Sequence, residues 1–307
     1  MAVSKSDFRI IFMGTPDFAV STLAALVEQE FNVVAVVTSP DKPAGRGQHI
    51  QMSPVKTFAK TKDIPVLQPE KLKSEDFISE LSSFKAHIQV VVAFRMLPEV
   101  VWRMPQYGSI NLHASLLPDY RGAAPIHWAV INGESITGVT TFFLQHEIDT
   151  GNIIEQRSID ILPEDNTGIL YDKLKELGAI LMVDTLNNVI NNTYKEIPQT
   201  MLSSYHHAPK IFKKDMEIDF NKSTKEVHNL IRGLAPYPGA FTYISEKQIK
   251  IFESSQDFET LSGEPMLSDN KTFLKLRCKN GYINVLSLQM EGKKRMDIQE
   301  FLRGIKL

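Results

Sequence analysis

Two polar side chains close an otherwise apolar run, Ser109-Ile-Asn-Leu-His113. The run reads as a strand, and because side chains alternate between faces, Asn111 and His113 point the same way. An amide and an imidazole buried there without partners would cost about 1–3 kcal/mol each. A hydrogen-bonded strand end would satisfy both groups with no chemistry at all. The continuation favours chemistry: Ser115-Leu-Leu-Pro118 and Tyr120-Arg-Gly-Ala-Ala-Pro125 make an irregular loop punctuated by glycine and proline. Farther on, Ile148-Asp-Thr-Gly151 adds a carboxylate, Asp149, in what reads as a turn. Together these residues offer an amide donor, an acid–base group and a carboxylate. That set suits acyl transfer to an amine, in which an oxyanion must be stabilised and the nucleophile must lose a proton. No G-x-S-x-G elbow, H-E-x-x-H or paired Cys-x-x-Cys is present, so neither a serine nucleophile nor a metal is expected. His206-His207 lies in a polar stretch and reads as surface.

The elements that must position these groups follow from the apolar pattern. Strands are predicted at Arg9–Met13, Val33–Thr38, Pro65–Leu67, Ile88–Ala93, Ser109–His113 and Gly138–Leu144. Helices are predicted at Asp17–Gln29, Met52–Lys62, Ser74–Phe84 (Ser74 as N-cap) and Thr167–Asn191. Strand and helix alternating in this way predict an α/β fold with a doubly wound, mainly parallel sheet. Such sheets take ligands beyond the C-terminal ends of their strands. Gly14-Thr-Pro, Ser39-Pro-Asp-Lys-Pro, Phe94-Arg-Met and Asn111–Pro118 all fall there. Met13-Gly-Thr-Pro-Asp-Phe18 has one glycine where a dinucleotide fingerprint needs three, so a nicotinamide site is excluded, and no P-loop is present.

The C-terminal part differs. After a helix at Thr224–Arg232 come short strands at Ala240–Ile244, Gln248–Phe252, Phe273–Cys278 and Tyr282–Leu288, with Asn280-Gly281 as a hairpin signal. These predict a small β-barrel of the OB type. The expected division is a catalytic domain over 1–195, a linker over 196–214, and an OB-like domain over 215–307.

With 307 residues, 43% of them hydrophobic, the chain can bury two cores. The net charge is −2, yet residues 208–307 carry 17 Lys+Arg against 13 Asp+Glu, which leaves −6 for residues 1–207. A basic C-terminal part can meet a polyanion. The lone cysteine, Cys278, lies in a strand-like run and reads as structural. One cysteine, no leader and no apolar span of about 20 residues predict a cytoplasmic protein that does not enter membranes.

The chain resembles the methionyl-tRNA formyltransferases over nearly its full length. The matching segments are Met13–Phe18, Pro40-Asp-Lys-Pro-Ala-Gly-Arg-Gly47, Asn111–Pro118, Tyr120–Ile126, Asp149–Gly151, Tyr237–Ala240 and Leu288–Met296. The Asn-x-His-x-Ser-Leu-Leu-Pro stretch is common to the wider 10-formyltetrahydrofolate transferase superfamily; the Lys42–Gly47 loop and the C-terminal match point to the tRNA enzyme. The resemblance implies transfer of a formyl group from 10-formyltetrahydrofolate to initiator methionyl-tRNA by a monomer without metal. It implies catalytic roles for Asn111, His113 and Asp149. Folate would be held by Ser115, Leu116, Leu117 and Pro118 and by backbone near Val92, Ala93 and Phe94. Lys42, Arg46, Lys210, Lys213 and Lys214 would contact tRNA, mostly at phosphates. Ala93-Phe94-Arg95 stands where the family often has Ala-Tyr-Gly, and Asp119 is acidic where relatives can be basic. Two other readings compete: a sugar-nucleotide N-formyltransferase and a non-catalytic RNA-binding protein that uses the barrel.

Overall fold

A computed structural model describes residues 4–44, 49–200, 205–260 and 262–304. In chain order the strands are β1 (Ile10–Gly14), β2 (Val33–Val37), β3 (Lys42–Ala44), β4 (His49–Gln51), β5 (Val66–Leu67), β6 (Ile88–Val92), β7 (Ser109–His113), β8 (Arg121–Gly122), β9 (Ile136–Phe143), β10 (Ile153–Asp160), β11 (His207–Ala208), β12 (Ala240–Ile244), β13 (Lys247–Asp257), β14 (Met266–Ser268), β15 (Leu274–Cys278), β16 (Gly281–Met290) and β17 (Met296–Asp297). The helices are α1 (Asp17–Glu28), α2 (Pro54–Thr61), α3 (Glu75–Ser83), α4 (Glu99–Trp102), α5 (Pro125–Ile131), α6 (Thr167–Ile190), α7 (Thr224–Leu234) and α8 (Ile298–Gly304). Two compact units interleave in sequence. One comprises Met1–Arg121, Gly138–Ile159 and Asp172–His206; the other comprises Gly122–Thr137, Asp160–Tyr171 and His207–Leu307.

The first unit is built on a seven-stranded sheet in the order β10-β9-β7-β6-β1-β2-β5. Its centre is parallel: β1 pairs in parallel with β2 and β6, β6 with β7, and β2 with β5. Every residue of β1 and β6 is buried, as expected where helices cover both faces. Beyond β7 the direction reverses, and β9 runs antiparallel to it. One face packs Ile11, Met13, Val37 and Val91 against Phe77, Leu81, Leu97 and Val101 of the flanking helices and turns. On the other face, α6 approaches β7 so closely that a Cβ on Gly178 would fall 2.7 Å from Leu112 Cδ2. Ser53 caps α2 by accepting the Lys56 N–H at 3.0 Å, with Pro54 in the first turn. Ser74 occupies the N-cap position of α3, but its hydroxyl donates to the Lys71 carbonyl instead.

The second unit carries an antiparallel sheet in the order β12-β13-β16-β15-β14, with β17 also pairing to β16. It is an antiparallel half-barrel, the form in which the expected OB-like domain occurs. Ile249, Ile251, Ile283, Val285 and Leu288 pack with Val227 and Ile231 of α7 and Phe301 and Leu302 of α8. A capping box between Ser223 and Glu226 starts α7. Among the described residues, no helix is long and apolar enough to cross a membrane.

Candidate active site

The register of β7 decides where its polar residues point. Asn111 lies beside Val91 of β6 and Phe142 of β9, while Leu112 turns toward Gly178 of α6. Asn111 and His113 therefore share the face opposite α6, at the C-terminal end of a parallel strand. His113 is 6% exposed. Its Nε2 lies 2.8 Å from the Tyr120 carbonyl oxygen. A carbonyl only accepts, so Nε2 carries the proton and Nδ1 is the nitrogen left for proton exchange. Nδ1 faces Asp149 Oδ2 at 3.8 Å. That separation is too long for a direct hydrogen bond. Asn111 is half-buried, and its amide has no hydrogen-bond partner among the described residues.

Asp149 reaches this position from the loop between β9 and β10. The loop is pinned at Gly151, where a Cβ would lie 1.6 Å from the Phe143 carbonyl oxygen, so only glycine fits. Asp149 itself is left-handed, with φ 55°, as are Tyr120 at 61° and Ala93 at 47°. Three non-glycine residues in this sparsely populated region thus surround the end of β7 and its neighbour β6.

Most of the segment Ser115–Pro118 is spent on its own fold. Ser115 is fully buried and donates to the Asp119 carbonyl at 2.6 Å. Leu117 packs with Phe142 and Ile153. Leu116 and Pro118 are half-buried. Thr140 and Gln156 hold the loop from beneath: Thr140 Oγ1 accepts the Leu117 N–H at 3.1 Å, and the Gln156 amide donates to the Leu117 carbonyl at 2.9 Å. Neither residue carries a sequence signal beyond strand alternation. On the neighbouring strand Val92 is buried, Ala93 is exposed, and Phe94 is half-buried against the apolar face.

Phe94 also lines a cavity of about 560 Å³ together with Thr15, Ser39, Lys42, Glu70 and Arg95, beyond the ends of β1, β2 and β6. The Arg95 guanidinium is not loose in this space. It donates to the carbonyls of Pro69 and Glu70 and lies 5.7 Å from the Phe94 ring centroid. Lys42 is exposed at the cavity, in a short hairpin of β3 and β4. Arg46 lies outside the described residues. The base of its loop is fixed by Asp41, which accepts from Lys56 Nζ at 2.6 Å and from the Gln68 amide at 2.8 Å. These two bonds hold the Asp41 carboxyl below the usual carboxylate range, the Lys56 bond first. Lys210, Lys213 and Lys214 are exposed in the second unit. Lys210 lies over Phe212 at 5.9 Å and Lys213 over Phe241 at 5.8 Å.

His206, which reads in sequence as surface, is in contact with this machinery. Its ring stacks on Tyr120 at 5.3 Å, and its Nδ1 is 3.6 Å from Asp119. The acidic departure at Asp119 thus has a partner. Among the described residues no group of His, Cys, Asp or Glu is arranged to hold a metal.

Known proteins resemble this chain across both units. Residues 8–186 match the formyl transferase family, and residues 210–306 match the formyl transferase C-terminal domain. The methionyl-tRNA formyltransferase of Bacteroides fragilis is 52% identical, with 99% of this chain and 97% of that protein aligned. That of Flavobacterium johnsoniae is 49% identical over 97% and 96%. Among solved structures, the sugar 3N-formyl transferase WlaRD, determined with dTDP and 5-N-formyl-THF, superposes with a TM-score of 0.68 at 24% identity, over 94% of this chain and 99% of that one. HypX from Aquifex aeolicus in complex with tetrahydrofolic acid gives 0.66 at 20% identity, over 97% of this chain and 48% of that one. At these identities the two structures establish a shared fold.

Proposed function

The chain belongs to the methionyl-tRNA formyltransferase family, and on that premise we propose that Asn111, His113 and Asp149 carry the transfer of a formyl group from 10-formyltetrahydrofolate to the α-amine of methionyl-tRNA. The observation that supports this most is the arrangement at the end of β7: an imidazole with one nitrogen fixed by a carbonyl, the other facing a carboxylate, beside an amide with no hydrogen-bond partner among the described residues. A sugar-nucleotide acceptor is the weaker reading. About half of the residues match methionyl-tRNA formyltransferases along the whole chain, against 24% for a sugar 3N-formyl transferase.

The surroundings suit a flat heteroaromatic co-substrate. Half-buried Phe94 and Leu144 pack on the apolar face, and left-handed Ala93 turns the chain away from the end of β6. Bound there, the folate supplies a formyl group on nitrogen. Asn111 then donates a hydrogen bond to the formyl oxygen as negative charge gathers on it. The Nδ1 of His113 takes the proton that the attacking amine sheds, and the Asp149 carboxylate stabilises the resulting imidazolium. His113 returns that proton to the departing nitrogen, so the amine–carbon bond forms as the folate–carbon bond breaks, with no net change in the protein.

Lys42 and Arg46 would reach the acceptor end of the tRNA, and Lys210, Lys213 and Lys214 would contact its phosphates, fixing register without reading bases. These substrates belong to translation, which supports a cytoplasmic location for the enzyme. Purified protein, 10-formyltetrahydrofolate and charged initiator tRNA should yield formylmethionine on acid–base analysis of the tRNA. Formylation of an amino-sugar nucleotide but not of the tRNA would reverse the choice of acceptor.

A further inference from the structure

The pairing of His113 with Asp149 depends on two loops, and both are stabilised by the same stretch of chain. His113 is held by the Tyr120 carbonyl, and Asp149 is presented by the β9–β10 loop. Each loop turns through a left-handed non-glycine residue, Tyr120 at φ 61° and Asp149 at φ 55°. Such residues are strained and persist only where the surroundings over-determine them. The over-determining contacts come from the residues that follow α6.

The stretch is first aligned with β10. Ile153 and Ile197 exchange both backbone hydrogen bonds at 2.8 Å, and the Asn152 amide donates to Glu196 at 2.9 Å. This register places Gln199 opposite the Asp149 loop. The Gln199 amide nitrogen donates to the Asp149 carbonyl at 2.9 Å and to the Gly151 carbonyl at 2.8 Å. Its own oxygen accepts from Nε of buried Arg121 at 3.0 Å, and from Nη2 as well. Arg121 is the residue after Tyr120, so one side chain ties the loop of the carboxylate to the loop that orients the imidazole. The second tie is His206. Its carbonyl accepts the Tyr120 N–H at 2.6 Å, its N–H donates to Asp119 at 3.0 Å, and its ring stacks on Tyr120 with planes 16° apart.

We propose that Gln199 and His206 are positioning residues for the formyl-transfer site, Gln199 setting the Asp149 loop against Arg121 and His206 setting Tyr120 against His113. The proposal rests on the catalytic assignment of His113 and Asp149 above. Neither residue touches the reacting atoms; both act through the backbone of the loops.

Gln199→Glu tests it with little change of shape. The variant keeps an acceptor for Arg121 and replaces both N–H donors by a carboxylate oxygen facing two carbonyls. The turnover number should fall about 5–100-fold, the range for buried carbonyls left facing an acceptor, with KM for both substrates within about twofold. In an Asp149→Asn background the same change should cost less than about twofold, because the group being positioned is gone. His206→Ala should lower kcat by a smaller factor, and His206→Phe, which keeps the stacked ring, should restore it. A loss expressed in KM for the tRNA, a loss that multiplies with Asp149→Asn, or one that tracks a fall in thermal midpoint would overturn the proposal. Hydrogen exchange supplies a readout that needs no activity: Gln199→Glu should speed exchange in residues 144–152, and unchanged exchange there would also overturn it. If the unaltered protein makes no formylmethionine, the functional reading fails while the exchange result still decides whether Gln199 holds the loop.

Discussion

The end of β7 and the antiparallel half-barrel treat polar and strained residues in opposite ways. In the half-barrel, left-handed backbone is where turn chemistry requires it. Ser245 and Glu246, at φ 48° and 64°, form the two-residue connection of β12 to β13, for which a paired left-handed turn is the usual solution. Asn270 follows Asp269, whose carboxylate accepts from the N–H groups of Lys271 and Thr272 and closes its own turn. At the end of β7, Tyr120 and Asp149 take the same conformation in turns of longer loops, and Ala93 takes it in a bend. There a half-buried amide has no hydrogen-bond partner among the described residues, and a buried imidazole faces a carboxylate beyond hydrogen-bond range. The lesson is that left-handed backbone does not mark a site by itself; the polar groups it presents do. Local consistency is expected to fail where a structure serves chemistry instead of stability.

That contrast can be broken by comparing how the two regions respond to truncation. His113→Ala should lower kcat by about 10²–10⁴-fold, the range for a positioned acid–base group, with little change in thermal midpoint. Formation of formylmethionine at near-normal turnover would remove His113 from the reaction. Ile251→Ala in the half-barrel should do the reverse and cost about 2–5 kcal/mol of stability by opening a cavity, measured by denaturant unfolding. Should His113→Ala destabilise the fold as much as Ile251→Ala, the two regions would not differ in kind.

Asn111→Leu sharpens the comparison further. The amide is half-buried with no hydrogen bond from the described residues, so a leucine should abolish turnover while raising stability by up to about 1–2 kcal/mol. Such a gain would identify an interaction retained for the reaction at the expense of the fold. A loss of stability would mean that Asn111 serves the strand after all.

How much of this was legible in the sequence depends on whether the information was local. The strand Ser109–His113 and the shared face of Asn111 and His113 follow from alternation alone, and the structure has the same bounds. The direction of β9 does not, because periodicity carries no sign, and a mainly parallel reading meets an antiparallel partner there. Strand β10 went unread: it is the edge of the sheet, and after Ile153-Ile154 its residues Glu155-Gln-Arg-Ser alternate between half-buried and exposed without an apolar stripe. In the half-barrel the pattern gives the bounds of Ala240–Ile244 but cuts β13 and β16 short, since β13 continues past Phe252 through a bulge into polar residues. Gln199, Tyr120 and Thr140 act through backbone groups brought together from distant positions, and nothing in residue type or spacing announces such contacts. The roles of Lys42 and Arg46 came from resemblance; their loop is anchored by the Asp41–Lys56–Gln68 cluster, which spacing could not reveal.

That cluster gives a smaller effect on the catalytic side. Asp41→Asn removes the carboxylate that Lys56 and Gln68 hold beside Lys42, and KM for the tRNA should rise about threefold to tenfold, as for loss of one ordinary hydrogen bond, with kcat nearly unchanged. Equal KM values for variant and parent would show that the loop needs no anchor at that point.

The smallest effect belongs to the half-barrel and depends on pH. Asp257 accepts from Lys275 Nζ at 2.6 Å and from the Thr260 hydroxyl at 2.7 Å. The Lys275 bond is the largest of the causes that hold its carboxyl well below the ordinary value of about 3.8, followed by the Thr260 hydroxyl and then backbone N–H groups. A carboxyl depressed in the folded state contributes stability that is fully present above its unfolded pKa and is lost as pH falls toward the folded value. The contribution is therefore complete at neutral pH and should fade only below about pH 4. Because the pair is partly exposed and screened, its size should be under about 1 kcal/mol. Asp257→Asn should accordingly lower unfolding free energy slightly at pH 7, and the difference from the parent should shrink steadily as pH falls below about 4, vanishing only once pH is below the folded value. A difference that grows as the solution is acidified would have the wrong sign for a depressed carboxyl. It would place the Asp257–Lys275 contact in the unfolded ensemble and not in the half-barrel.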